Sequence, residues 1–373
     1  MLRSLLWVVL SLLVSFNVLA ATEADTLRVA SQKVASESSH EEKKGYDPVR
    51  MIFDHISDSH EWHIMTLGST HVTVPLPVIL YSKERKELFC FLSSRFHHGH
   101  EDYNGFRMLV PEKGGPTEIV EVSEAGQLLQ APMDFSITKN VAGALFVCLL
   151  MVWVFVSVAK CYKQNPKRAP HGLQNLMETI IVFVRDDIAK PSIREKLLPR
   201  FMPVLLTIFF FVLFCNLLGL IPIIPAGANL TGNITVTMVL AMFTFLVTTF
   251  SGNKHYWADI FNTPGVPTFL KFPIPLMPVV ELSGMLTKPI VLMIRLFANM
   301  LSGHMIVLVF FSMIFLFGAM NAVAAYGVSF LSVFFAVFMT LLDVLVSFIQ
   351  AYVFTMLSAM YFGMATAGHE EKH

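Results

Sequence analysis

The stretch Leu286-Thr287-Lys288-Pro289-Ile290-Val291-Leu292-Met293-Ile294-Arg295-Leu296-Phe297-Ala298-Asn299-Met300-Leu301-Ser302-Gly303-His304 sets two full positive charges, an amide and an imidazole inside an otherwise apolar run. An ionisable group in a lipid-embedded helix costs about 2.5–3.5 kcal/mol on insertion scales and more than ~10 kcal/mol in simulations, so each one asks for a partner or a task. Glu281, Lys288, Arg295 and Ser302 recur at intervals of seven, and each heptad step returns to within about 20° of one helical face. Asn299, four residues after Arg295, shares that stripe. His304, nine residues after Arg295, points roughly the other way. A straight helix therefore offers Arg295 to one neighbour and His304 to another.

The run extends over about 276–317, and a second long run follows over 322–366, the two separated by Gly318-Ala319-Met320-Asn321. At about 1.5 Å per residue each reaches about 60 Å as a helix, twice a hydrocarbon core of roughly 30 Å, so both must tilt, bend or lie partly in the membrane plane. The second run carries Asp343, Ser347 and Gln350 at offsets of four and seven, again one face. The two polar stripes are expected to face each other or a shared partner. Hydrogen bonding across a bundle is a sufficient reading for Ser302 and Ser347, but it does not require the full charges of Arg295 and Asp343. Three shorter apolar segments, at 141–159, 203–225 and 232–250, are each near the ~20 residues that cross a bilayer.

Of the 373 residues, 54% are hydrophobic and 14% charged, against about 45–50% and roughly 25% in an ordinary soluble domain. A single water-soluble globule is excluded. Lys plus Arg and Asp plus Glu both total 27, which leaves no basic field for nucleic acid. The distribution is uneven, with 18 acidic and 12 basic residues between Thr22 and Lys139 but only Lys254, Asp259, Lys271, Glu281, Lys288, Arg295 and Asp343 between Pro203 and Gly368. The four cysteines, Cys90, Cys148, Cys161 and Cys215, have neither disulfide-framework nor metal-type spacing.

The first 20 residues read as a secretory signal peptide with cleavage after Ala20, an uncleaved anchor being the other reading. Residues 21–135 are expected to form a small exported α+β or β domain with a flexible start, with strands at 71–76 and 88–96. That domain holds eight of the 13 histidines, including His97, His98 and His100 and the pair His60 and His63. They are read as surface histidines, with a metal site as the alternative. Between Lys160 and Phe201 stand nine basic against four acidic residues, which puts this loop in the cytoplasm and the carboxy terminus with it. Within it Leu173, Leu176, Met177, Ile180, Ile181 and Val184 recur at helical spacing, the pattern of an amphipathic helix on the membrane surface or packed on protein. The fold expected is an all-α polytopic membrane protein of about five transmembrane helices over 136–373, the last two long and tilted.

The run from Leu286 to His304, with its Arg295-Leu296-Phe297-Ala298-Asn299-Met300 core, resembles the signature helix of subunit a of F-type ATP synthases. Ser347-Phe348-Ile349-Gln350-Ala351-Tyr352-Val353-Phe354 resembles that family's final helix, and Phe214-Cys215-Asn216-Leu217-Leu218-Gly219-Leu220-Ile221-Pro222 its second span. The similarity covers about 140–368. It implies that Arg295 faces a rotating ring of c subunits, with Asn299 and Gln350 beside it. His304 and Asp343 take two positions where the commonest bacterial pattern has Glu and His, so the pair is present but exchanged, as in the mitochondrial type. By the same resemblance Asn216, Asn233 and Thr235 line a second half-channel on the cytoplasmic side, Thr235 standing where Asn is usual. Glu281, Lys288, Ser302 and Ser347 support the stripes. The implied partners are the c-ring, b-type peripheral stalk subunits and the rest of the complex, in a bacterial inner membrane, with no cofactor and no catalysis on this chain.

Two rival classes remain at this point. A secondary transporter binding an anion at Arg295 predicts repeated halves, which the sequence lacks. A purely structural anchor gives no reason for Arg295, His304 and Asp343 together. No phosphate loop, zinc motif or triad context supports a soluble enzyme.

Overall fold

The computed structural model describes residues 48–67, 70–99, 101–109, 116–122, 129, 131–164, 169–221, 229–261, 276–318 and 322–367. The expected signal peptide and flexible start lie outside them. A short helix, α1 (Pro48–Ile56), leads into the hairpin β1 (Glu61–Leu67) and β2 (Thr70–Pro75). Strand β3 (Pro77–Tyr81) pairs antiparallel with β4 (Leu88–Leu92) and with β7 (Met133–Asp134), and β5 (Phe106–Leu109) pairs with β6 (Glu118–Glu121). Alternation along β3 buries Val78 and Leu80 against Phe96, Phe106, Met108 and Ile119. Phe91 meets the Phe96 ring edge-on at 5.4 Å, and Phe89 meets Phe106 at 5.2 Å.

The strand expected over 88–96 stops at Leu92, and Ser93–Gly99 is a 3-10 turn. The cause is a two-way latch. The Ser93 amide donates to the Leu76 carbonyl at 2.9 Å, and the Ser93 hydroxyl accepts from the Leu76 amide at 3.0 Å, which turns the chain out of the sheet.

The remaining elements are α2 (Lys139–Gln164), α3 (Leu173–Phe183), a π-helical turn (Val184–Ala189), the turn Lys190–Ser192, α4 (Leu198–Gly219), α5 (Ile234–Ser251), α6 (Lys254–Phe261), α7 (Leu276–Gly318) and α8 (Ala322–Thr366). Among the described residues, five helices (α2, α4, α5, α7 and α8) are long and apolar enough to cross a membrane. Helix α4 departs from the expected 203–225. It starts at Leu198 with Pro199 in its first turn, where a missing N–H costs nothing, and it ends before Pro222, which cannot continue it.

Helix α4 is the centre of the bundle, with Leu205, Phe209, Phe210 and Val212 fully buried. Phe210 meets Phe155 of α2 edge-on at 5.0 Å, Phe209 meets Phe348 of α8 at 5.8 Å, and Phe201 stacks on Phe362 at 5.2 Å. In lipid such close packing, rather than exclusion of water, holds helices together. The amphipathic segment divides its apolar side. Met177, Val184, Ile188 and Ala189 are buried, and the π-turn packs on α4 and α8, while Leu173, Leu176 and Val182 stay exposed. Helix α8 passes close to the turn Lys190–Ser192 because Gly363 has no side chain, since a Cβ there would strike the Ser192 carbonyl.

Helices α7 and α8 run antiparallel along one shared seam. Gly303 meets Asp343, the Phe310 ring stacks on Phe335 at 5.6 Å, and the Lys288 ammonium lies 5.5 Å from the Tyr361 ring centroid. Leu292, Leu296 and Met300 form the inner edge of α7, and Ala351, Phe354, Ala359 and Phe362 that of α8. Their outer faces, including Ile290, Ile294, Phe334 and Leu345, are open. The start of α2, the end of α4 and the start of α5 lie at the end of the bundle that carries the amino-terminal unit, hereafter the capped end. At the far end the Asn253 side chain donates to the Thr366 carbonyl at 3.1 Å.

Candidate functional site

Arg295 and Asn299 are both exposed on α7, while the next residue after each, Leu296 and Met300, is buried. One helical step of about 100° separates the guanidinium from the seam, so the stripe projects from the open side of the bundle. Eight residues further along, or about 12 Å toward the capped end, Gly303 lets α8 approach so closely that a Cβ built on it would lie 2.5 Å from Asp343 Oδ1. Asp343, Ser347 and Gln350 are buried on the inner face of α8. The antiparallel register fixed by the three contacts along the seam sets Gln350 level with Arg295 and Asn299.

Two buried polar atoms in this region have no hydrogen-bond partner among the described residues, His304 Nδ1 and Asp343 Oδ2. An unpaired buried polar group costs about 1–3 kcal/mol, and in native proteins water usually meets it. The His304 ring lies against the backbone of Gly219 and within electrostatic reach of His55 and Lys139. The capped end thus carries an imidazole and a carboxyl group with unused hydrogen-bonding capacity, and the open face carries a fixed cation.

The two polar stripes do not face each other. Asp343, Ser347 and Gln350 turn inward, whereas Arg295 and Asn299 turn out. Ser302 and Ser347 bond carbonyls of their own helices, Asn299 at 3.0 Å and Asp343 at 2.7 Å. Glu281 and Lys288 are half-buried and Ser302 is exposed, so the heptad stripe does not share one environment. A drift of about 20° per heptad over three heptads accounts for this.

Asn216, Asn233 and Thr235 were expected on the side opposite His304, and the structure corrects that. Asn216 is fully buried, accepts from the Thr231 hydroxyl at 2.6 Å and donates to the Ser347 carbonyl at 3.4 Å. Asn233 caps α5, its side chain accepting from the Thr235 amide at 2.8 Å. All three belong to the capped end, because α4 ends and α5 begins there. At the far end a small cavity between α5, α6, α7 and α8, with room for about one water, is lined mostly by apolar side chains such as Phe245, Met285 and Leu292, with Tyr256, Lys288 and Tyr361 among the polar ones.

Sequence reasoning missed Gly303, whose signal was a glycine kept inside a helix at a cost of about 0.5–1 kcal/mol. It also missed Thr231, Asp58 and Lys139, which carry no local pattern. In the amino-terminal unit His60 is committed elsewhere. It bonds Thr117 Oγ1 at 2.8 Å through Nδ1 and Asp134 at 2.7 Å through Nε2. Burial works to raise the Asp134 carboxyl, but the His60 hydrogen bond and charge, with Ser136, outweigh it and hold the group below the usual carboxylate range. Asp58, by contrast, is pushed up by burial despite the Asn140 amide, Thr138 and Lys139. No group of three metal-ligating side chains occurs among the described residues, and the side chains of His63, His98 and His100 lie outside them.

A family profile described as ATP synthase A chain matches residues 142–363, which contain Arg295, Asn299, His304, Asp343 and Gln350. The chain belongs to the ATP synthase subunit a family. It is similar to "ATP synthase subunit a 2" of Chlorobaculum tepidum, at 42% identity over 249 residues, or 65% of this chain and 66% of that protein. It is also similar to "ATP synthase subunit a" of Chloroherpeton thalassium, at 42% over 64% of this chain and 68% of the relative. With "ATP synthase subunit a" of Myxococcus xanthus it shares 40% over 70% and 84%. The alignments thus span about two thirds of the length of the first two relatives. A second profile, a domain of unknown function (DUF8433), matches 51–137, the amino-terminal unit. As a subunit a family member with five apolar helices, the chain is a multi-pass membrane protein.

Proposed function

We propose that the chain is the proton-translocating stator of an F-type ATP synthase, working against a ring of c subunits and held by b-type stalk subunits. The reading rests on one observation above all. Arg295 stands on an open helix face, level with Gln350, while His304 and Asp343 sit behind it with unpaired polar atoms. A guanidinium keeps its proton at every relevant pH, so on this reading Arg295 is a permanent charge on the face that meets the ring in a low-dielectric setting. A ring carboxylate arriving within about 4 Å gains about 4 kcal/mol at an effective dielectric near 20, which corresponds to roughly three pKa units. That strips its proton, and the same charge bars a proton from passing straight through.

Protons then reach the ring by separate routes on the two sides of Arg295. His304, Asp343 and Gln350 serve the capped end, which faces outside, with Asn216, Asn233 and Thr235 lining its wall. A second route from the cytoplasm passes on this reading by the small cavity at the far end, whose mostly apolar wall is broken by Lys288 and Tyr361. Each proton moving with the field gains about 2.3 kcal/mol per 100 mV, and the offset of the routes converts it to rotation. The chain performs no bond chemistry in this scheme. The orientation follows the basic loop at 160–201, cytoplasmic by its charge, in a bacterial inner membrane.

ATP-driven proton uptake in inverted vesicles tests the proposal, with ring co-purification as the control for assembly. Arg295→Ala is expected to abolish uptake in an intact complex, and Asp343→Asn to slow uptake far more than it lowers assembly. Uptake unchanged in Arg295→Ala would overturn the stator reading and reopen that of a transporter or anchor.

A further inference from the structure

The amino-terminal unit is joined to the bundle by a two-way clamp. Lys139, the first residue of α2, is buried, and its ammonium donates to the carbonyls of His55 and Ser57 at 3.0 Å each. These are carbonyls at the end of α1, where helical partners run out and a cation is favoured. In return the Asp58 carboxylate accepts from the Asn140 amide at 3.1 Å, in the first turn of α2, where amides are left over, and from the Ser59 amide at 3.0 Å. The Lys139 amide adds a bond to the Ser59 carbonyl at 2.9 Å. Each helix end caps the other.

The clamp fixes where α1 sits. That helix packs on α7, with Ile52 buried and Val49 and Phe53 exposed one turn apart. His304 of α7 feels both His55 of α1 and Lys139 of α2. An apolar pair on the outer face suits a helix lying in the membrane interface. Helix α1 therefore covers the end of α7 that carries His304.

We infer that Lys139 is a positioning residue for the capped-end ion path, holding α1 as a lid over His304 so that ions reach the imidazole past the edge of α1 and not through an open mouth. The purpose of the lid rests on the stator reading, but its geometry does not. The test uses the intact complex in right-side-out vesicles, with Cys90, Cys148, Cys161 and Cys215 replaced by Ser and His304→Cys as reporter. The rate of labelling by a membrane-impermeant cationic methanethiosulfonate is measured with and without Lys139→Met. Labelling is expected to become at least about tenfold faster in Lys139→Met, as an opening equilibrium shifts when charge-assisted hydrogen bonds are lost. Lys139→Arg, which keeps the cation, is expected to restore the slow rate.

An equal rate in all three overturns the lid. Should Lys139→Met fail to assemble, a short bis-methanethiosulfonate, which joins two thiols with loss of a sulfinate at each end, applied to the His55→Cys, His304→Cys pair with the clamp intact decides the matter, a cross-link supporting the lid and its absence refuting it. Labelling is read whether or not the complex pumps. Failure of the lid therefore differs from failure of the stator reading, which shows only in the uptake of Arg295→Ala.

Discussion

Replacing Gly303 by alanine isolates the closest approach of the two long helices. In an ordinary helix interior this change gains about 0.8–1.0 kcal/mol. Here the new Cβ would lie 2.5 Å from Asp343 Oδ1, 3.0 Å from its Cγ and 3.1 Å from Oδ2, so a buried carboxyl group must withdraw or the helices must part. Overpacking of this kind costs about 1–3 kcal/mol. Net destabilisation of up to about 2 kcal/mol is expected where a stabilisation of about 1 kcal/mol would be normal. The assay is equilibrium unfolding of the purified chain in bicelles, run as a double-mutant cycle with Asp343→Ala. Removing the carboxyl group should return the full helical gain, leaving a coupling of about 1–3 kcal/mol. Proton uptake in assembled complex should fall as well, because a misplacement near 1 Å can cost about a hundredfold. Equal stabilisation by Gly303→Ala in both backgrounds would refute the close approach.

Asn216→Ala removes two hydrogen bonds and strands the buried Thr231 hydroxyl, so a loss of about 1–3 kcal/mol is expected in the same unfolding assay. Gly363→Ala sets a Cβ against the Ser192 carbonyl, a backbone atom that cannot swing aside. A loss of about 2–3 kcal/mol and poorer recovery of complex should follow. Asp134 is held below its unfolded pKa, so its contribution is fully present above about pH 3.9 and is lost as pH falls through the lower folded value. Hydrogen exchange of β1 and β7, corrected for intrinsic rates, should rise over that window, and His60→Ala should remove the acid step.

The five helices long and apolar enough to cross a membrane, counted among the described residues, were legible because length and hydropathy are read directly from composition, and of the expected break at 318–321 only Gly318, the last residue of α7, lies within the described residues. Arg295 and Asp343 stood out because a charge in an apolar run is costly whatever surrounds it. Their relation was not legible. Periodicity gives the angle of a residue about its own axis, but only the seam of Leu292, Leu296 and Met300 decides that Arg295 faces outward. Asn216 misled for the same reason, since its partners Thr231 and Ser347 lie 15 and 131 residues away. The end of β4 was missed because the Ser93 and Leu76 latch spans 17 residues and leaves no local pattern.

The open face of α7 also bears on how such a chain is made. On the stator reading Arg295 and Asn299, exposed on α7, look out at hydrocarbon from the moment of insertion until the ring meets that face. The guanidinium alone then costs about 2.5–3.5 kcal/mol, a sizeable part of the 5–15 kcal/mol or so that typically holds a protein folded. The newly inserted chain is thus an unfinished object. Its lifetime in the membrane is set by how soon a complementary surface arrives, and a cell that makes it in excess is expected to degrade the surplus.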